Sequence, residues 1–555
     1  MQRTDNQFIN KLLFTMSNRF PILTLTFLLV AAVTTFSQNH YDRLATLDVQ
    51  HYVFSLQLNA TDANVKGSAL VTIRFRKEVS EFQLDLVKKD AAGKGMTVSA
   101  VSENGHAFQF EHNKESLTIR FPRATKLDDV HTFQIDYQGI PADGLIIDNN
   151  KFGDRTFFGD NWPNRAHHWL PTVDHPSDKA SVEFIVTAPQ ELQVIGNGVQ
   201  VEETNLDNGL KLTHWRETVL LPTKVMVIGA APFAVQLAGE AQGIPVTTWV
   251  FPENRKEGFY DYNQAVPVLD WFVKNVAPYP YKKLANVQSK TRYGGMENAS
   301  NIFYFENSVT GTREREGLIA HEIAHQWFGN SASEASWYHV WLSEGFATYF
   351  TILYNESVHG VDAARQELMA DRQQVITYNS KNARPIVDTT VTDYNRLLNT
   401  NSYQKGSWVL HILRQEVGDS AFWKGVRTYY DRYKFSNALT DDFRKVMEEV
   451  SGKDLQPFFK QWIFTAGQPT LQTTWNYDTN AKALLIEIKQ LQNIAFQFPI
   501  DIAIYYNDTD KPIIQTFQIQ KASQTFMIKA DKAPTKIMLD PNVKLLFEGT
   551  VVKKG

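Results

Sequence analysis

The sequence predicts a multidomain α+β protein with three parts. These are an N-terminal all-β region of saddle or sandwich type, a mainly helical middle and a small C-terminal β-sandwich. Three observations predict it. Apolar and polar residues alternate at period two over about residues 40–235, the mark of half-buried strands. Helical patterns of eight to twenty residues fill about 255–460, and strand-like alternation returns from about 466. A length of 555 residues suits several domains rather than one.

Taken in chain order, residues 1–37 read as an export signal. The apolar run from Phe20 to Val33 follows Lys11 and Arg19 and leads into Thr34-Thr35-Phe36-Ser37, a basic flank, a short apolar core and a small-residue exit. The run falls short of the roughly twenty residues a membrane-spanning helix needs. The mature chain is therefore expected to be exported, periplasmic or secreted, with no stable membrane anchor; an uncleaved anchor is the alternative. Residues 38–235 form the expected β domain, with strands at His51 to Leu58 and Ala69 to Phe75. Residues 236–465 form the expected helical domain, with helices over Tyr262 to Val273, Gly317 to Phe328 and Tyr338 to Tyr354, the second stopped by Gly329-Asn330. Gly467-Gln468-Pro469 marks the border of the last domain, 466–555, with strands at Ala483 to Ile488 and Ile500 to Tyr505.

Composition excludes whole classes of function. With 56 basic against 60 acidic residues and no long like-charge block, the chain lacks the basic surface of a nucleic-acid binder. Cysteine is absent. Disulfides, thiolate zinc sites, iron–sulfur clusters and cysteine nucleophiles are thereby ruled out, and any metal must be held by His, Asp or Glu.

One pattern answers that requirement. His321-Glu322-Ile323-Ala324-His325 lies on a helical background, where two histidines four apart share one face and reach one point in space. Glu322 then hangs beside the ion, placed to take a proton from water. Glu344 follows His325 with eighteen residues between them, and a helical hairpin would return its carboxylate to the same point. Two His and one Glu make an open three-ligand site. Gly345 costs a helix about 1 kcal/mol relative to Ala, which suggests tight packing beside the ligand. Upstream, Gly294-Gly295-Met296-Glu297-Asn298 joins paired glycines to strand-like residues. An extended peptide could lie along such an edge, with Glu297 facing a cation.

On these residues the chain resembles the gluzincin zinc aminopeptidases, the family of aminopeptidase N and leukotriene hydrolase. Gly294 to Asn298 matches its exopeptidase motif, and Gln326-Trp327-Phe328-Gly329-Asn330 and Trp341 to Ala347 are similar too. The resemblance implies a thermolysin-like catalytic domain and one zinc ion per chain held by His321, His325 and Glu344. It implies Glu322 as general base, Glu297 as the anchor of the substrate's free amine, and Gly294, Gly295, Met296 and Asn298 beside the peptide. Tyr403, in Ser402-Tyr403-Gln404-Lys405-Gly406, matches the family's oxyanion-stabilising tyrosine. The expected partners are peptides with a free N-terminus, the expected reaction hydrolysis of their first peptide bond.

Two departures stand out. Where the family's first domain supplies a Gln or Glu for the amine, an ungapped alignment places Trp162, with Asp160 or Asn161 as possible substitutes. The chain also reads as a short form without the C-terminal helical domain of many members. His167 and His168 are adjacent, a spacing that does not converge on one ion. The alternatives are a zinc endopeptidase with the same triad and a catalytically inactive peptide-binding relative.

Overall fold

The computed structural model describes residues 45–507 and 511–554, so the export-signal reading of residues 1–37 lies outside the described residues. Strand Leu47–Gln57 buries Leu47 and Val49, then Tyr52, Phe54 and Leu56. The switch from odd to even numbers is a β-bulge: the register on strand Val65–Phe75 shifts between Val49 and His51, and one extra residue inverts the alternation. These two strands sit inside an eight-stranded sheet that also contains Lys179–Pro189, paired parallel to Leu47–Gln57, and the long antiparallel strands Val130–Ile140 and Leu210–Pro222. Smaller sheets of three and four strands pack with it, and the N-terminal part is β-rich as expected.

A five-stranded mixed sheet leads into the helical part, in the order Ala234–Ala241, Ile244–Val250, Leu284–Ser289, Asn301–Phe305 and Gly295–Met296. Gly295–Met296 is thus an edge strand, antiparallel to Asn301–Phe305. The helices follow as α1 (Arg255–Tyr262), α2 (Ala265–Asn275), α3 (Glu316–Ala324), α4 (Trp341–His359), α5 (Val361–Asn382), α6 (Gly406–Val417), α7 (Asp419–Tyr433), α8 (Thr440–Ser451) and α9 (Gln456–Trp462). The helix expected over Tyr262 to Val273 is two helices. Pro267 has no N–H to give residue 263, so the helix restarts with this proline in its first turn. Helix α3 stops one turn before Phe328 because the carbonyls of its last turn are captured early. Gln326 and Trp327 N–H donate three residues back, to Ile323 O and Ala324 O at 3.1 Å each, and Gly329 then turns the chain at φ +116°. The C-terminal part holds a four-stranded and a three-stranded sheet that bury Trp475, Ile486, Ile500 and Ile502. Among the described residues no helix is long and apolar enough to cross a membrane.

Two buried lysines tie the β-rich part to the segment after α3. Lys179 Nζ donates to the carbonyls of Asn330 and Ser331 at 3.1 and 2.8 Å. Lys224 Nζ meets Glu334 Oε1 at 2.6 Å, with 1% and 0% of the two side chains exposed. Removing one partner of such a pair strands the other charge in the interior. Lys224→Met should therefore lower unfolding stability in urea by about 3–5 kcal/mol, and the double change with Glu334→Leu should recover most of the loss. A single variant within about 1 kcal/mol of wild type would show that the pair is not the tie described here.

Candidate metal centre

Helix α3 carries His321 and Glu322 in its last turn and is capped by His325, one turn after His321, and α4 crosses it to bring in Glu344. The three ligand atoms converge. His321 Nε2 and His325 Nε2 lie 3.1 Å apart, and Glu344 Oε2 stands 3.5 and 3.2 Å from them. A tetrahedral ion with bonds of about 2.0–2.2 Å sets neighbouring ligand atoms about 3.4 Å apart, so the donor set fits a zinc ion. Glu344 Oε2 is also buried without a hydrogen-bond partner, an orphan that a cation would satisfy. His325 Nδ1 faces Phe328 O at 3.1 Å and Ser343 Oγ at 3.0 Å. Donation from Nδ1 to the carbonyl leaves the Nε2 lone pair for a metal.

The electrostatics point the same way. Burial opposes charge on His325, yet Glu344, Glu297 and Glu322 raise its pKa to about 9. The field that draws a proton there would draw a divalent cation. Burial raises the Glu322 carboxyl well above the usual carboxylate range; His325 opposes this, while Glu297 and Glu344 reinforce it. Burial likewise keeps the Tyr403 phenol protonated, far above its ordinary value.

Two close backbone approaches build the site. A methyl group on Gly295 would lie 2.2 Å from Glu322 Oε1, so only glycine lets the edge strand pass beside this carboxylate. A methyl on Gly345 would lie 3.0 Å from the backbone of Gly406. The two glycines let α4 press against the π-helical turn Asn401–Lys405, which sets the ring of Tyr403 parallel to His321 at 5.9 Å.

Glu297 is held through its own backbone. Gln326 Nε2 and Asn330 Nδ2 donate to its carbonyl at 2.9 and 2.6 Å, while its Oε1 is buried without a partner. Glu297, His321, Glu322, His325, Glu344 and Tyr403 line one cavity of about 40 Å³, with Gly295 and Met296 at its edge. Gly294 is exposed ahead of the edge strand and Asn298 is buried behind it, and neither reaches that cavity. Trp162 does line it. Asp160 is instead paired with Arg165 and accepts from Arg292 N–H, and Asn161 binds Met226 O, Thr223 O and Trp169 Nε1. His167 pairs with Asp174 at 2.7 Å. Among the described residues, ligand groups cluster at the α3–α4 site and in the overlapping set Glu297, Glu322 and His325. Leu398 and Tyr293 complete the wall; no motif marks Leu398, and its place there could not be read beforehand.

Comparison with known proteins matches both the β-rich and the helical part of the chain. The family model described as "Peptidase M1 N-terminal domain" matches residues 39–225, and "Peptidase family M1 domain" matches residues 260–462. Glutamyl aminopeptidase of Rattus norvegicus is 27% identical over 345 residues, 60% of this chain and 36% of that one. The chain thus aligns with little more than a third of the length of that relative. Aminopeptidase A of Legionella pneumophila, solved in complex with aspartic acid, shares the fold with a TM-score of 0.79 at 17% identity, over 91% of this chain and 60% of that one. The M1 zinc metallopeptidase of Deinococcus radiodurans gives a TM-score of 0.66 at 25% identity, over 76% and 95%.

The glycine contacts make an internal control. Gly345→Ala should cost about 1–3 kcal/mol in urea unfolding, because its methyl meets backbone. Gly317→Ala, whose methyl would touch only Thr351 at 4.0 Å, should be neutral or stabilise α3 by up to about 1 kcal/mol. Equal effects of the two changes would remove the close approach of α4 to Gly406 as the reason for Gly345.

Proposed function

The chain belongs to peptidase family M1, and on that premise we propose that it is a zinc-dependent aminopeptidase that hydrolyses the N-terminal peptide bond of peptides. The observation that carries the reading is Glu297: a buried carboxylate with an unpartnered oxygen, in the same small cavity as the His–His–Glu triad. An ammonium is the complement of that oxygen. Held there, it leaves only the first peptide bond within reach of the triad.

Zinc held by His321, His325 and Glu344, one ion per chain, would supply Lewis acidity, acidifying a water and polarising the scissile carbonyl. Glu322 takes the proton of the attacking water and returns it to the leaving amine, and its raised affinity for a proton suits both transfers. Tyr403 donates its O–H to the oxygen on which negative charge develops. The edge strand Gly295–Met296 offers backbone groups to an extended peptide. Its thermolysin-like catalytic domain and C-terminal β-sandwich belong to the same reading. So does an exported location, periplasmic or secreted, with peptides bearing a free N-terminus as partners. Among the described residues no Lys or Arg lines the cavity, so nothing there complements an acidic first side chain.

The test compares aminoacyl amides with their N-acetylated forms. Wild type should cleave only the free amines. Glu322→Gln should abolish turnover, and Glu297→Ala should act mainly by raising KM. Equal cleavage of acetylated substrates would make the protein an endopeptidase; a zinc-loaded chain with no turnover would make it a binding relative. Tyr403→Phe should lower kcat about 10²–10³-fold with bound zinc unchanged by metal analysis.

A further inference from the structure

We propose that the cavity selects small, uncharged first residues, with Trp162 limiting their size and the cavity's three carboxylates excluding acidic side chains. This preference rests on the aminopeptidase reading above.

Size comes first. The cavity offers about 40 Å³, room for about three waters at roughly 10–15 Å³ each. A substrate's ammonium and scissile carbonyl take most of that space. The cavity also opens to solvent, so the limit on the first side chain is set where it meets the packed wall at Trp162. The uncharged wall is made by Trp162, Tyr293, Met296 and Leu398. Trp162 is only 2% exposed and is wedged edge-to-face against Tyr293 and Trp337, with ring centroids 6.4 and 5.9 Å away. A ring packed on two sides does not swing aside without opening a void. Nor can its neighbours soften the wall, because Asp160 and Asn161 spend their polar groups on Arg165, Arg292 and the backbone of Met226.

Charge is the second filter. Among the described residues that line the cavity, the ionisable ones are Glu297, Glu322, Glu344, His321, His325, Tyr293 and Tyr403, with no Lys or Arg. A divalent cation and the substrate's ammonium balance the three carboxylates. No positive charge is left for a carboxylate on the first side chain, and an unpaired carboxylate in such a site is costly. A lysine or arginine side chain is excluded by its length and would find no further free carboxylate.

The experiment measures kcat/KM of the zinc-loaded enzyme for fluorogenic amides of Gly, Ala, Leu, Phe, Glu and Lys. Ala and Gly should exceed Phe, Glu and Lys by about tenfold or more. Trp162→Ala should raise the Phe-to-Ala ratio by about tenfold while Glu stays poor. Leu398→Ala probes another part of the wall and carries the test if the tryptophan variant does not fold. Binding gives a second readout: calorimetry on Glu322→Gln should show alaninamide binding more tightly than phenylalaninamide or glutamic acid α-amide. A wild type that prefers Phe, Glu or Lys, or variants that both leave the Phe-to-Ala ratio unchanged, would overturn the proposal. Failure of the underlying reading looks different: acetylated substrates cleaved as well as free ones, or no free amine cleaved at all. Either removes the premise and the preference with it.

Discussion

Three carboxylates and two imidazoles share one buried cavity, and that many anionic groups do not sit together out of water without a counter-charge. Everything around the cavity holds them at the spacing a single cation requires. The pitch of α3 sets the distance between His321 and His325, and the crossing of α4 brings in Glu344. Neither helix could do this alone. One face of one helix offers two ligands to an open centre, and a third from another element gives the centre its geometry.

The crossing depends on what lies behind it. Gly345 and Gly406 allow α4 to approach the turn that carries Tyr403, so the carboxylate and the phenol are placed by the same contact. On the other side Gln326 and Asn330, the residues that follow the histidine motif, hold the carbonyl of Glu297. The motif therefore serves two purposes: its histidines face the cavity, and its trailing amides fasten the edge strand. Lys179 and Lys224 extend the chain of constraints into the β-rich part by gripping Asn330, Ser331 and Glu334.

That link explains why the first part of the chain bears on the site at all. Trp162 comes from a segment remote in sequence from the histidines, yet it stands in the cavity wall. Its position is possible because Asp160 and Asn161, which lead into the turn, are bound to Arg165, Arg292, Trp169 and the backbone near Thr223. The wall is thus shared between the β-rich part and the helical part, and it is uncharged: Trp162, Tyr293, Met296 and Leu398.

The sequence by itself determined the element types and the chemistry of the centre. Alternation at period two is a local property, so strands such as Leu47–Gln57 were legible, and so was the helical face bearing His321 and His325. Glu344 could be proposed from its place on a second helix and Glu297 from the paired glycines before it, whereas Tyr403 could be picked out only through likeness to a family motif, since a lone Tyr has no local signature. Helix ends were less legible: the break before α2 follows from Pro267, but the early end of α3 depends on which donors capture its last carbonyls. Only the tertiary structure decided that Trp162 and Leu398 face the triad, that Asn298 and Gly294 do not, and that Gly345 owes its place to Gly406. These are contacts between residues distant in the chain. Spacing along one element follows from backbone geometry, whereas contact between elements follows from how their surfaces pack, which no local pattern records.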